Sequence, residues 1–219
     1  MRDWAYYASK GILWAFFRLR FGLEVEGQAH VPKRGPFIIA SNHLSFLDPP
    51  VIGVACPRPL VFMARADLFE PPLLGAYLRA VHVMPLQRGE SDPRAVRQAI
   101  TLLKAGRSIG MFPEGGRQLS GQVGEAKRGI GLLAHSSQAP VIPTLVTGTF
   151  QALPPQARGL HPAKIRVVFG PRISYTDASE YSPGASTVPG RSRDRHQQVA
   201  DAVTHEWRRL AQRVTATKI

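Results

Sequence analysis

Short apolar runs recur along the chain, each closed by a polar or glycine-bearing stretch. PFIIA (36–40), PLVFMA (59–64), VHVMPL (81–86), SIGMF (108–112), PVIPTLV (140–146) and KIRVVFG (164–170) are predicted as buried strands. Between them the period changes. Asp92-Pro93 opens a predicted helix on which Val96, Ala99, Ile100 and Leu103 share a face, and Gly106 ends it. Residues 49–56 are predicted as a short helix with Asp48 as N-cap and Pro49 at its first position. Further helices are expected over 68–80, in spite of Pro71 and Pro72, and over 125–137 and 193–214. Strands alternating with helices predict an α/β fold, a largely parallel mixed sheet flanked by helices. No internal repeat is visible. We divide the chain into a helical N-terminal region (1–26), an α/β domain (27–175), and a Ser/Pro/Gly-rich loop with a last helix (176–219).

The N-terminal pattern is of another kind. In MRDWAYYASKGILWAFFRLRFGL, the uncharged run between Lys10 and Arg18 is only GILWAFF. A spanning helix needs about 20 mostly apolar residues, so this is not one. No small-residue cleavage site follows it, which speaks against a signal peptide. On a helical projection Trp4, Ala5, Ala8, Ile12, Ala15, Phe16 and Leu19 share a wholly apolar arc. The opposite arc mixes Arg2, Lys10, Arg18 and Arg20 with Tyr6, Tyr7, Trp14 and Phe17. Two readings follow: a helix lying in a membrane interface through residues 2–21, or one packing its apolar arc on the protein's own core. Aromatic rings beside basic residues favour the interface.

Charge adds to this. Lys and Arg total 28 against 15 Asp and Glu, a formal net charge of +13. Nucleic acid, anionic lipid and phosphorylated substrates are the partners such a surplus favours, and it does not choose among them. A hydrophobic content of 44% excludes a disordered chain. The single cysteine, Cys56, excludes an intrachain disulfide and a thiolate metal site, and in VIGVAC it reads as a small buried hydrophobe.

Candidate chemistry gathers where strands end. FIIASNHLSFLDPP leaves an apolar run on Asn42-His43 and reaches Asp48 five residues after the histidine. A histidine held at one ring nitrogen by a carboxylate can accept a proton at the other. On one helix the two residues would stand about 140° apart, so they meet only if His43 lies in a turn and Asp48 at the next helix start. The bland alternative is a turn histidine beside a plain helix cap, with Asn42 shaping the turn. PEGGRQLSG follows SIGMF. There Gly115 and Gly116 let backbone N–H groups approach a ligand, Arg117 can clamp a phosphate, and Glu114 can accept from a substrate hydroxyl. Arg88 follows VHVMPL in the same manner.

Rival motifs are weaker. GRSIG (106–110) matches a nucleophile elbow, but a helix precedes it and a strand follows, the reverse of the required order. GIGLLA (129–134) matches a dinucleotide fingerprint but lies inside a predicted helix. The seven histidines lack ligand spacing, and no metal is expected. Arg191, Arg193, Arg195, Arg208, Arg209 and Arg213 would suit a basic nucleic-acid-binding protein, yet no aromatics interleave with them, and a solvated helix face is the default.

Together these segments resemble the glycerolipid acyltransferase family over roughly residues 30–150. Its N-H-x-x-x-x-D block is read at Asn42, His43 and Asp48, its second block at MPLQR with Arg88, its third, like F-P-E-G-T-R-S, at Phe112–Gln118, and its apolar fourth around Pro143. AKRGIG (126–131), with Lys127, resembles a basic-Gly segment after the third block. Gly116 and Gln118 depart from the usual residues, and the glycine usual near the start of the second block is replaced by Val81 or His82. The resemblance implies His43 as general base oriented by Asp48. It implies acceptor binding by Asn42, Ser45, Arg88, Glu114, Gly115, Gly116, Arg117 and Lys127. An acyl-CoA or acyl-carrier protein would be co-substrate, with no bound cofactor. The acceptor expected is 1-acyl-glycerol-3-phosphate, giving phosphatidic acid; glycerol-3-phosphate, another lysolipid or a hydroxylated lipid are alternatives. The protein would sit peripherally on the cytoplasmic face of the membrane, without nucleic acid as partner.

Overall fold

The computed structural model of the chain describes residues 4–86, 93–157, 159–176 and 192–216. Arg88, Arg191 and most of the loop before the last helix lie outside the described residues. Apolar runs become the strands β1 (Glu24–Glu26), β2 (Ile38–Ser41), β3 (Val61–Arg65), β4 (Val83–Leu86), β5 (Ile109–Met111), β6 (Val141–Thr147) and β7 (Arg166–Phe169). The helices are α1 (Trp4–Phe21), α2 (Asp48–Ala55), α3 (Pro72–Ala80), α4 (Pro93–Lys104), α5 (Gly129–Ser137), α6 (Thr149–Ala152) and α7 (Ser192–Ala216). The sheet order is β1-β7-β6-β2-β5-β3-β4. β6, β2, β5, β3 and β4 run parallel, β7 is antiparallel to β6, and β1 is parallel to β7. The carboxyl ends of five strands therefore share one edge, where ligands bind in open α/β sheets.

Both faces of the sheet are covered, which is why its strands read as continuous apolar runs. Phe37 and Ile39 join Phe17 of α1 and Val51 and Ile52 of α2 in one core cluster. Ile38 and Ala40 face the other way, toward Ala99 and Leu103 of α4, Ile130 of α5, and Val203 and Trp207 of α7. The last helix, set apart in the sequence, is thus part of the domain core. Gly131 lets α5 close on α7: a Cβ there would sit 2.2 Å from the His196 carbonyl oxygen. Of the two glycines of GIGLLA, Gly131 serves helix packing, and Gly129 opens α5.

Three local features depart from the sequence reading. β1 reads Glu-Val-Glu and gives no apolar signal, yet it forms the sheet edge. Its acids meet Arg166 of β7 across the pair, Glu24 at 2.7 Å and Glu26 at 3.7 Å. α5 starts at Gly129 rather than 125 because the preceding amides are committed elsewhere. Gly124 N–H donates to Glu114, Ala126 N–H to Thr204 Oγ1, and Lys127 N–H to the Pro113 carbonyl. His82, one of the two residues near the place of the usual glycine, adopts a left-handed φ of 64°. It is buried, stacks on Tyr6 with centroids 5.1 Å apart, and accepts a hydrogen bond from Arg107 at Nδ1.

α1 packs through its mixed arc. Tyr6, Phe17 and Phe21 are buried, Tyr6 Oη accepts from the Leu60 N–H, and the Lys10 ammonium donates to the Cys56 carbonyl at the end of α2. Burial raises the Tyr6 pKa to about 12 and lowers that of Lys10. The apolar arc points away from the protein: Trp4 is 69% exposed and Leu19 87%, with Ile12 and Phe16 also exposed. The reading in which this arc covers the core is therefore replaced by its inverse. Among the described residues no helix is long and apolar enough to cross a membrane.

Candidate functional site

β2 and β5 are neighbours, so the turn after Ser41 and the loop after Met111 leave the sheet side by side. Backbone bonds tie them together at His43. Its N–H donates to Glu114 Oε2 at 3.0 Å, and its carbonyl accepts from Gln118 N–H at 2.8 Å. The ring is fixed as well. His43 Nδ1 and Asp48 Oδ2 are 2.9 Å apart, and the ring stacks on Phe112 with centroids at 4.0 Å. A carboxylate can only accept, so Nδ1–H is the donor and a neutral His43 keeps its Nε2 lone pair. Among the described residues Nε2 has no partner.

Asp48 is fully buried. Its Oδ2 also accepts from the N–H groups of Leu44 (2.6 Å) and Ser45 (2.8 Å). The expected N-cap role is thus corrected. Asp48 is the first residue of α2, after Leu47, and makes no side-chain cap bond to that helix. Its carboxylate is turned back onto the preceding turn, where it holds the histidine. Pro49 and Pro50 have no N–H, and the Val51 N–H donates to the Leu47 carbonyl, so the first turn leaves no donor for a side-chain cap.

Several expected ligand contacts do structural work. Asn42 is fully buried; its amide bonds both backbone groups of Val146 in β6, at 2.9 and 2.8 Å. Ser45 Oγ donates to the Leu153 carbonyl beyond α6. Glu114 is 4% exposed and accepts from His43 N–H and, at 2.9 Å, from Gly124 N–H. Burial raises its pKa against the pull of these two amides. Glu114 therefore ties the His43 turn to Gly124, each carboxylate oxygen accepting from one backbone N–H.

The open groups are Gly115, Gly116, Arg117 and Lys127. Gly115 has a left-handed φ of 82°, and a Cβ on it would stand 2.7 Å from Lys127 Nζ, so a cation lies close over bare backbone. Arg117 Nη1 is buried with no hydrogen-bond partner, and the guanidinium lies 3.6 Å from the centroid of the Phe46 ring. An unpartnered guanidinium N–H, a lysine over Gly115 and exposed glycines are groups of the kind that can receive an anion. Arg88 lies outside the described residues.

An apolar groove runs between α1, α2 and α3, lined by Leu13, Pro50, Val54, Phe62, Leu78 and Val83 among others. Phe62 is in ring contact with Phe112, which carries His43. Gly110 leaves room for this, since a Cβ there would lie 2.3 Å from the Phe62 ring. Phe46, Phe62 and Phe112 are the site residues whose roles the sequence did not disclose; apolar type alone does not separate a stacking platform from core. Ser108 of GRSIG lies at the start of β5, opposite the site edge, and is buried. Of the C-terminal arginines, Arg208 pairs with Glu125, Arg209 with Glu206 and Arg213 with Glu26.

Residues 22–147 match the family model described as Acyltransferase. A Bacillus subtilis protein named 1-acyl-sn-glycerol-3-phosphate acyltransferase is 31% identical over 131 residues, 59% of this chain and 65% of that protein. A Pseudomonas aeruginosa protein named lyso-ornithine lipid O-acyltransferase is 33% identical over 98 residues, 44% of this chain and 36% of that one. The matched stretch thus spans less than two thirds of either relative's own length. The crystal structure of the 1-acyl-sn-glycerophosphate acyltransferase of Thermotoga maritima superimposes with a TM-score of 0.70 at 26% identity, covering 95% of this chain and 84% of that one.

Proposed function

The chain belongs to the acyltransferase family, and from that premise we propose that it moves a fatty acyl group from a thioester to the free hydroxyl of 1-acyl-glycerol-3-phosphate, giving phosphatidic acid. The observation that carries this reading is the His43–Asp48 pair with Nε2 left open at the sheet edge, beside the unpartnered Arg117 Nη1. Nε2 takes the proton of the acceptor hydroxyl as its oxygen attacks the thioester carbonyl. The carbon–sulfur bond then breaks, and the imidazolium returns the proton to the leaving thiolate. Asp48, anchored by two amides, fixes the tautomer and stabilises the imidazolium. Arg117 and Lys127 receive the acceptor's phosphate, with Arg88 as a further candidate. The apolar groove beyond Phe62 suits a fatty acyl chain. An acyl-CoA or an acyl-carrier protein is the donor, and no bound cofactor or metal is needed for the step.

The outward arc of α1 supports peripheral contact with the cytoplasmic face of a membrane, where the acceptor resides. A second reading takes a phosphate-free lysolipid as acceptor. It is supported by the likeness to the lyso-ornithine lipid enzyme.

The test is thiol release from a long-chain acyl-CoA in detergent with lysophosphatidic acid, glycerol-3-phosphate, a neutral lysolipid or no acceptor. Release should depend on lysophosphatidic acid and fall about 10²- to 10⁴-fold in His43→Ala. Unchanged thermal unfolding is expected in that variant. Equal turnover by His43→Ala would sink the base assignment, and a preference for the neutral lysolipid would favour the second reading.

A further inference from the structure

Phe46 lies within the turn that links the base to its orienting carboxylate, and it is 59% exposed. A single exposed phenyl ring is ordinary on a protein surface, so its contact is what matters: the Arg117 guanidinium carbon stands 3.6 Å from the ring centroid, within the range of a cation–π contact. Arg117 has no carboxylate partner, and its Nη1 is buried and unpartnered. Nothing else among its described contacts holds the guanidinium. A free arginine side chain samples many rotamers and loses that freedom when it grips an anion.

Resting on the function proposed above, we propose that Phe46 is a positioning residue for acceptor recognition. Its ring holds the Arg117 guanidinium in place, ready for the acceptor's phosphate before the acceptor arrives. The platform is tied to the catalytic turn itself. Leu47 N–H donates to Ser45 Oγ, and Ser45 N–H donates to Asp48, so the residues around Phe46 are fixed by the bonds that fix His43. One short turn therefore sets both the base and the orientation of the phosphate-binding cation. An ordering role of this kind acts on ground-state and transition-state binding alike, so it appears in KM rather than kcat.

The experiment compares the unsubstituted protein with Phe46→Ala, Phe46→Leu and Phe46→Trp. Glycerol-3-phosphate affinity is measured by calorimetry without any acyl donor. KM and kcat for lysophosphatidic acid are measured by thiol release. Phe46→Ala should weaken both glycerol-3-phosphate affinity and KM about three- to tenfold, the scale of one cation–π contact, with kcat within about twofold. Phe46→Trp should restore the loss and Phe46→Leu should not, since leucine keeps the apolar bulk without the π face. The proposal is overturned if Leu restores as well as Trp, if kcat falls in step with KM, or if glycerol-3-phosphate binding is absent or indifferent to all three changes. Phe46-dependent binding without acyl transfer would leave the platform standing and overturn the proposed reaction. Acyl transfer indifferent to Phe46 would do the reverse.

Discussion

Glu114 carries a carboxylate into an almost closed space, with the amides of His43 and Gly124 as its main partners. Burial dominates, so its pKa in the folded protein lies above the ordinary 4.5. The folded state then holds this proton more tightly than the unfolded chain does. Stability from this group is complete below the ordinary value and is lost as pH rises through the raised one. Glu114→Gln removes the titration, and it sets an amide N–H₂ against one of two N–H donors. We expect the variant to be less stable by about 1–3 kcal/mol, and the unsubstituted protein's unfolding free energy to fall more steeply with rising pH just above 4.5. Urea unfolding across that range checks both; parallel curves would exclude the titration. This residue also marks a limit of sequence reading. The types at 42, 43, 48, 114 and 117 announced a polar site, but not which of them meet backbone. Asn42 and Glu114 act on groups 104 and 71 residues away, contacts that no local pattern encodes.

At the scale of elements, the strands and long helices were legible because each depends on its own apolar period. β1 was hidden because its stability comes from arginine on a partner strand, and the start of α5 because Glu114, Thr204 and Pro113 claim the amides before it. α1 was legible as two arcs but not as to which faces inward. A Lys10 bond to the carboxyl end of α2 and the Tyr6–His82 stack favour the mixed arc. That leaves Ile12 and Leu19 as apolar groups without a protein partner. Ile12→Glu and Leu19→Glu should each reduce co-sedimentation with anionic vesicles by tenfold or more, on the basis of about 1.5–3 kcal/mol per buried aliphatic side chain. Thermal unfolding and turnover of a detergent-dispersed acceptor should be unchanged. Full vesicle binding by both variants would take α1 out of the membrane contact.

Across the whole molecule, the formal charge of +13 is met in part by local ion pairs. Arg208, Arg209 and Arg213 pair with acids, one in the loop before α5, one within α7 and one in β1. α7 also donates from Trp207 Nε1 to the Ala40 carbonyl of the central strand, two residues before the site turn begins at Asn42. Helices from both ends of the chain thus brace the strand that presents His43. One end does so around a reactive atom. Cys56 is fully buried in the cluster that α1 closes, and burial raises its thiol pKa to about 11. As the chain's single cysteine, it makes the protein a one-label clock for the seating of α1. A disulfide reagent should leave the folded protein untouched and consume one thiol per chain in denaturant. Any increase in labelling rate on addition of lipid would time the lifting of that helix, without a reporter having to be built in.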